Sequence, residues 1–295
     1  MSRRLDFIRL LHFPQLKFVL HILLRYRPPA SEMTQEMPPK PGRLASFLRP
    51  WGLIWFSVRL HWEALKQAIR RDGLGALAHP QKIRDVASAK MFRVASANFI
   101  AFEDTTIIPS LVRAATGTVL ELGPGPGNQI HRFDTSLVDR IYGVEPNQNF
   151  RGVINAIVER HEMQDKYKLL VCGIEDSDIL RDEGISEGSL DTVLCIQVLC
   201  AVKDPKSVMK EVWKLLKPGG KFIFWEHGWS KDRLTTVAQA FTNPAWSTFV
   251  GCHLTRNVLA DILDSGEWEN PNEIEEPEDP FSFLPRVQGV LVKKA

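Results

Sequence analysis

The stretch TVLELGPGPGN at residues 118–128 decides how this 295-residue chain is read. Five residues suited to a buried strand run straight into glycines at Gly123, Gly125 and Gly127, with Asn128 behind them. Such a strand followed by a glycine turn brings bare backbone up to a ligand at the carboxyl edge of a parallel sheet. A helix is expected to follow the loop. Working outward, short β-rich runs recur at RIYGVE (140–145), YKLLVC (167–172), LDTVLCI (190–196) and KFIFWE (221–226), with RVQGVLVKK (286–294) as a closing strand. Helical patterns lie between them, at NFRGVINAIVERHE (149–162) and PKSVMKEVWKLLK (205–217). Strands separated by crossover helices predict an α/β fold with a parallel sheet and helices on both faces.

The N-terminal part has a different character. Residues 1–71 carry 13 Lys/Arg against 4 Asp/Glu, a net charge of +9, and the remainder is net −7. LDFIRLLHFPQLKFVLHILLRYR (5–27) is apolar, but Asp6, Arg9, Pro14 and Lys17 interrupt it, so it falls short of the roughly 18 apolar residues of a spanning helix. It fits an amphipathic helix lying at a membrane surface, with Lys17, Arg25 and Arg27 reaching the headgroups; it fits equally a helix packed on the body. No arginine-rich run with interleaved aromatics points to nucleic acid. The prolines of residues 28–43 predict a linker, and WGLIWFSV (51–58) begins a helix running to Arg71. Residues 1–80 are therefore expected to form a basic helical extension with a Pro-rich linker, ahead of a catalytic domain over 81–295. Residues 81–114 follow a helical period through Ile83, Val86, Met91, Val94 and Phe99. The acidic segment 267–280 reads as a loop or lid. Cys172, Cys195, Cys200 and Cys252 form no C-x-x-C pair, which predicts free thiols in a reducing cytoplasmic setting and no zinc or other metal.

The ligand is narrowed by three strand ends. The loop spacing is G-x-G-x-G, with Asn128 where a dinucleotide pattern places its last glycine. Pro124 and Pro126 remove two N–H donors that a pyrophosphate cradle would use, whereas a sulfonium ligand without phosphate has no need of them. Glu145 ends the second strand, 22 positions beyond Gly123, where a carboxylate accepts both hydroxyls of a ribose. That role is common to S-adenosylmethionine and nicotinamide sites. At the third strand end Ile174 suits the face of an adenine, with Glu175 or Asp176 accepting from its amino group; an acidic helix N-terminus also explains Asp176.

The order VLELGPGPGN … GVEP … GIED … GSLDTVLCIQVL … LLKPGGKFIFWEHG resembles the class I S-adenosylmethionine-dependent methyltransferases. Later blocks, VLCAVKDP (198–205), FWEHG (224–228), NPAW (243–246) and GCHLTR (251–256), look most like the small-molecule thiol methyltransferases (the methyltransferase-like seven family). The likeness runs over residues 115–295. It implies a Rossmann-like methyltransferase sheet and S-adenosyl-L-methionine as cofactor. It also implies donor contacts at Glu121, Gly123, Gly125, Gly127, Glu145, Pro146, Ile174, Glu175 and Gln197. The chain departs from the family in the two loop prolines and in a more charged N-terminal segment.

The implied reaction is methyl transfer to a small molecule, with sulfur favoured by the resemblance. The alternatives are nitrogen or oxygen of a secondary metabolite or modified peptide, a NAD-dependent oxidoreductase, and a non-catalytic methyltransferase-like module. A sulfonium methyl is already activated, so alignment of the nucleophile can supply about 7–11 kcal/mol. A thiol of pKa about 8.5 asks little of a base. The candidates are the acid–imidazole pair Glu226–His227 at the fifth strand end, and His253. For His227 a site role and a structural hydrogen bond both fit. Trp225, Trp229 and Trp246 are candidates for lining an apolar acceptor pocket, and Cys195 and Cys200 read as inert core thiols.

Overall fold

Alternation along the strands explains the layers. In the computed structural model, which describes residues 42–279 and 281–295, six strands form one sheet in the order β3-β2-β1-β4-β5-β6. They are β1 (Gly117–Leu122), β2 (Val138–Val144), β3 (Tyr167–Leu170), β4 (Leu190–Ile196), β5 (Leu216–His227) and β6 (Arg286–Val292). Successive side chains point to opposite faces. Val119, Ile141, Leu194 and Ile223 pack on one side, against α3 (Ile108–Arg113) and α4 (Arg151–Arg160). Leu120, Val144, Val193 and Phe222 pack on the other, against α5 (Ser177–Asp182), α6 (Pro205–Leu215) and α8 (Val258–Leu263). A sheet covered on both faces needs the near-continuous apolar strands the sequence shows. β1 to β5 are parallel, as expected; β6 returns antiparallel along β5, pairing Arg286 with His227.

A third apolar cluster joins α1 (Arg43–Asp72), α2 (Pro80–Glu103) and α7 (Arg233–Phe249) through Ile54, Leu60, Ala64, Met91, Trp246 and Val250. Helix α1 begins earlier than residue 51 and stops at Gly73, whose φ of 64° ends the helical hydrogen bonding. The apolar stretch 5–27 and the proline-rich residues 28–41 lie outside the described residues. The long helical pattern over 81–114 divides into α2 and α3, broken at residues 104–107.

Two expectations are corrected. No α-helix follows the glycine loop: residues 123–137 hold only a three-residue 3-10 turn, Ile130–Arg132. Gly127 leaves the loop at φ 84°, Phe133 is already extended, and Asp134 accepts the Ser136 N–H in a side-chain turn. Too few residues remain between these fixtures to nucleate a helix. The segment 267–279 is also no lid. It lies along the outer edge of β6, bridged at Trp268 to Lys293 and at Glu275 to Gln288, and none of its residues lines the cavity described next.

Candidate functional site

The carboxyl ends of β1 to β5 open into a cavity of about 890 Å³, roofed by α1, α2 and the turn after α7. Its donor end is built from the loop after β1. Gly123, Gly125 and Gly127 have φ of 54°, 55° and 84°, all in the left-handed region. A Cβ at Gly123 would stand 3.0 Å from both γ-methyls of Val198, so the loop must pass with bare backbone. Glu145, 7% exposed, holds the loop in place: one carboxylate oxygen accepts the Gly125 N–H at 3.0 Å, the other the Asn147 N–H at 2.9 Å. Burial pushes its carboxyl up despite those two donors.

Glu121 lines the same end. Its Oε2 accepts from the Tyr167 hydroxyl at 2.7 Å, while its Oε1 is buried with no hydrogen-bond partner among the described residues. Burial pushes this carboxyl up to about 7. Pro146, Ile174 and Glu175 line the cavity too. The two acids at the third strand end sit differently. Asp176 accepts the Gly173 N–H at 2.7 Å and is outside the lining, whereas Glu175 folds back over Gly173, where a Cβ would collide with its carboxylate.

Helix α2 braces this end. Ser96 donates to Asn128 at 2.6 Å, and Asn147 donates to the Asp85 carbonyl at 2.9 Å. Arg132, at 4% exposure, donates to Glu103 and Asp104 at 2.7 Å each, and Gln129 donates to Glu103 at 3.0 Å. A buried charge survives only when so paired. Nothing in the sequence marked Glu103 and Arg132 as partners.

The acceptor end is framed by the turn after β4. Gln197 sits at φ 61°, its N–H donating to the Trp225 carbonyl, its Oε1 accepting from Arg286 at 3.2 Å. Glu226 does not form a dyad with His227, because neighbours on a strand project to opposite faces. Its Oε1 accepts the N–H groups of Val198 at 2.6 Å and Leu199 at 3.1 Å and the Cys195 thiol, which fastens the turn; its other oxygen has no partner among the described residues. Arg256 donates to the Leu199 carbonyl at 2.8 Å from the opposite side. His253 spends its backbone N–H on the Cys200 carbonyl at 2.8 Å, and its ring is outside the cavity lining.

His227 is 2% exposed and lines the cavity, with Nδ1 unpartnered and Nε2 3.5 Å from the Cys252 Sγ. Cys252 also accepts from the Trp246 indole N–H at 3.0 Å. The ligand atoms of Cys200, His227 and Cys252 all lie within 4.8 Å of one another. Cys195 and Cys200 are both buried thiols, as the sequence suggested, and Cys200 also lines the cavity beside Cys252. Of the three tryptophans only Trp246 lines the cavity; Trp225 is buried under the Arg286 guanidinium at 3.8 Å, and Trp229 is half exposed. Arg256, Arg286 and Cys252 carried no signal of these roles in their local sequence.

Comparisons with known proteins agree with this architecture. The family described as "Methyltransferase domain" matches residues 120–224. Thiol S-methyltransferase TMT1B of Rattus norvegicus is 32% identical over 181 residues, covering 60% of this chain and 70% of that protein. Human thiol S-methyltransferase TMT1A is 32% identical over 142 residues, covering 47% of this chain and 55% of that protein. Among solved structures, an O-methyltransferase family protein from Burkholderia thailandensis superposes with a TM-score of 0.53 at 15% identity, over 83% of this chain and 72% of that one. This last likeness is one of fold alone.

Proposed function

The chain belongs to the S-adenosylmethionine-dependent methyltransferases, in the family that holds thiol S-methyltransferases TMT1A and TMT1B, and we propose that it methylates the sulfur of a small-molecule thiol. When bound, S-adenosylmethionine supplies a methyl group already activated on a sulfonium. The cavity fits this donor: a glycine cradle that side chains would fill lies beside a buried carboxylate oxygen at Glu121 with an unused acceptor site. A pyrophosphate fits worse, because the loop leads into no helix N-terminus and has lost two N–H groups to Pro124 and Pro126.

In this proposal Glu145 takes the ribose hydroxyls, Ile174 lies against the adenine, Glu175 accepts from its amino group, and Glu121, Pro146 and the three glycines shape the remainder. Gln197, held by Arg286, marks the border with the acceptor. His227 promotes loss of the thiol proton. Glu226 acts on it indirectly, by setting the turn that carries Cys200. His253, first considered as a base, becomes a positioning residue through its backbone. The observation that carries the sulfur assignment is the identity with two thiol S-methyltransferases, together with a cavity wall of sulfur, imidazole and indole that suits a soft, apolar nucleophile.

Titration with S-adenosylhomocysteine and with NAD should show binding of the first alone. Labelled methyl donor offered with thiols, amines and phenols should yield thioether; methylated amines or phenols with no thioether would sink the sulfur assignment.

Contact with an anionic membrane surface is a second proposal, resting on the net +9 of residues 1–71. It is supported by exposed Leu48, Trp51 and Trp55 on α1 beside Val237 and Phe241 on α7. No helix among the described residues is long and apolar enough to cross a membrane. Deleting residues 1–41 should release the protein from anionic vesicles, and unchanged cosedimentation would refute the contact.

A further inference from the structure

Cys200, His227 and Cys252 come from three separate places: the turn after β4, the last residue of β5 and the loop after α7. Their spacing along the chain matches no zinc signature, which is why the sequence argued for free thiols. In space they converge. The backbone hydrogen bond from His253 to the Cys200 carbonyl sets the two cysteine segments side by side, and β5 delivers the imidazole to within 4.8 Å of both sulfurs.

Three features distinguish this group from chance. The first is the ligand set: two sulfurs and one imidazole nitrogen are soft donors that select zinc over magnesium or calcium. The second is distance. Zinc bonds of about 2.3 Å to sulfur and 2.0–2.1 Å to nitrogen in a tetrahedron put ligand atoms about 3.5–3.8 Å apart. Cys252 Sγ and His227 Nε2 are 3.5 Å apart, and all three atoms fall within 4.8 Å, so small rotations of side chains complete the triangle. The third is the condition of His227. It is 2% exposed, its Nδ1 has no hydrogen-bond partner among the described residues, and its Nε2 has only the weak 3.5 Å contact with the Cys252 sulfur.

We propose that Cys200, His227 and Cys252 form a zinc site with three protein ligands, whose fourth position opens into the acceptor cavity. Three protein ligands and one open position are the pattern of a catalytic rather than a structural zinc. Two thiolates and a neutral imidazole would cancel the charge of the ion, leaving the half-buried Arg286 guanidinium and the buried Glu226 carboxylate to balance each other. The Trp246 indole N–H is placed to steady the Cys252 thiolate from outside the metal.

A consequence rests on the thiol assignment above, although the metal site does not. A thiol entering the open position would bind as its thiolate and release its proton to solvent. The new carbon–sulfur bond to the methyl group then forms as the donor's sulfonium bond breaks, leaving a thioether and S-adenosylhomocysteine, both neutral at sulfur. His227 would act through the ion and not as a free base.

The full chain, purified with reductant and reconstituted with zinc alone, should retain one zinc per chain after gel filtration, measured by plasma mass spectrometry. Cobalt alone, added to chelator-stripped protein, should give the intense visible bands of a tetrahedral site and a sulfur-to-metal charge-transfer band. Cys252→Ser, Cys200→Ser and His227→Gln should each weaken metal binding at least ten-fold, and Cys172→Ser should leave it unchanged. Should one variant fail to fold, the cobalt spectrum of the wild-type protein still decides. No retained zinc with no charge-transfer band overturns the site. So does a spectrum unmoved by both Cys200→Ser and Cys252→Ser, or a reduced-buffer mass showing these cysteines joined as a disulfide. Zinc bound without any thioether product leaves the site standing and overturns the acceptor assignment. Full thioether formation by stripped protein does the reverse to the activating role.

Discussion

The two ends of the cavity are assembled over different ranges of the chain. The end proposed for the methyl donor is made of strand ends and the turns that leave them: Gly123, Gly125, Glu145, Ile174 and Glu175. Its working groups are backbone and carboxylate, each fixed by a partner close by in the sequence or the sheet. The acceptor end takes single side chains from α1, from the turn after β4, from β5 and from the region after α7, and its working groups are sulfur, imidazole and indole. One end is therefore a property of the sheet, and the other a property of how late loops are tied back onto it. The ties are few and specific: Glu226 to the N–H groups of Val198 and Leu199, Arg256 to the Leu199 carbonyl, His253 to the Cys200 carbonyl.

This contrast can be broken most forcefully at the brace of the donor end. Arg132→Met leaves Glu103 buried without its cation, and breaking a buried pair costs about 3–5 kcal/mol. Urea unfolding should show that loss, with S-adenosylhomocysteine affinity falling before thiol discrimination changes among the molecules still folded.

Glu121 comes next. Its carboxyl is raised from a usual 4.5 to about 7 in the folded protein, so the folded state holds a proton that the unfolded chain has given up. Stability from this group is full below pH 4.5, declines as pH rises from there to about 7, and is flat above; the difference is worth about 3 kcal/mol. Glu121→Gln should flatten the stability curve in that window. Saturating S-adenosylhomocysteine should lessen the wild-type slope if the ligand's ammonium fills the free Oε1, and an unchanged slope would remove Glu121 from the donor contacts.

A smaller effect is expected at Gly123→Ala. The left-handed φ of 54° costs a side chain about 1–2 kcal/mol, and the new methyl presses on Val198. Donor affinity should drop while the acceptor KM holds. The smallest change sharpens the other end. Trp246→Phe removes the N–H to Cys252, about 1 kcal/mol of hydrogen bonding, together with part of the buried indole volume, and should raise the KM for thiol with donor affinity intact.

The same contrast sets what the sequence could disclose. Strand periodicity, the glycine turn and the acids at strand ends are local patterns, so the parallel sheet and most residues lining that end of the cavity were legible, and β4 was bounded to the residue at Leu190–Ile196. The helix expected after the glycine loop was not there, because Arg132 satisfies a buried network in place of a helical turn, a tertiary demand that no window of sequence displays. The pairing expected of Glu226 with His227 failed for a similar reason. Adjacency along a strand reads as proximity in the sequence and as opposite faces in the fold. The meeting of Cys200 with Cys252, 52 residues apart, depends on where α7 ends and how β6 closes the sheet.

The bare crossover between β1 and β2 also bears on turnover. A helix starting at the glycine loop would aim about half a positive charge at the ligand. Residues 123–137 start none, and Glu121, Glu145 and Glu175 stand around the same space. The donor arrives with a positively charged sulfur and leaves, spent, with a neutral one. On the proposed donor assignment, a pocket with acids at this edge and no opposing dipole would hold the charged form more firmly than the discharged one, so that discharge would loosen the grip on the spent molecule.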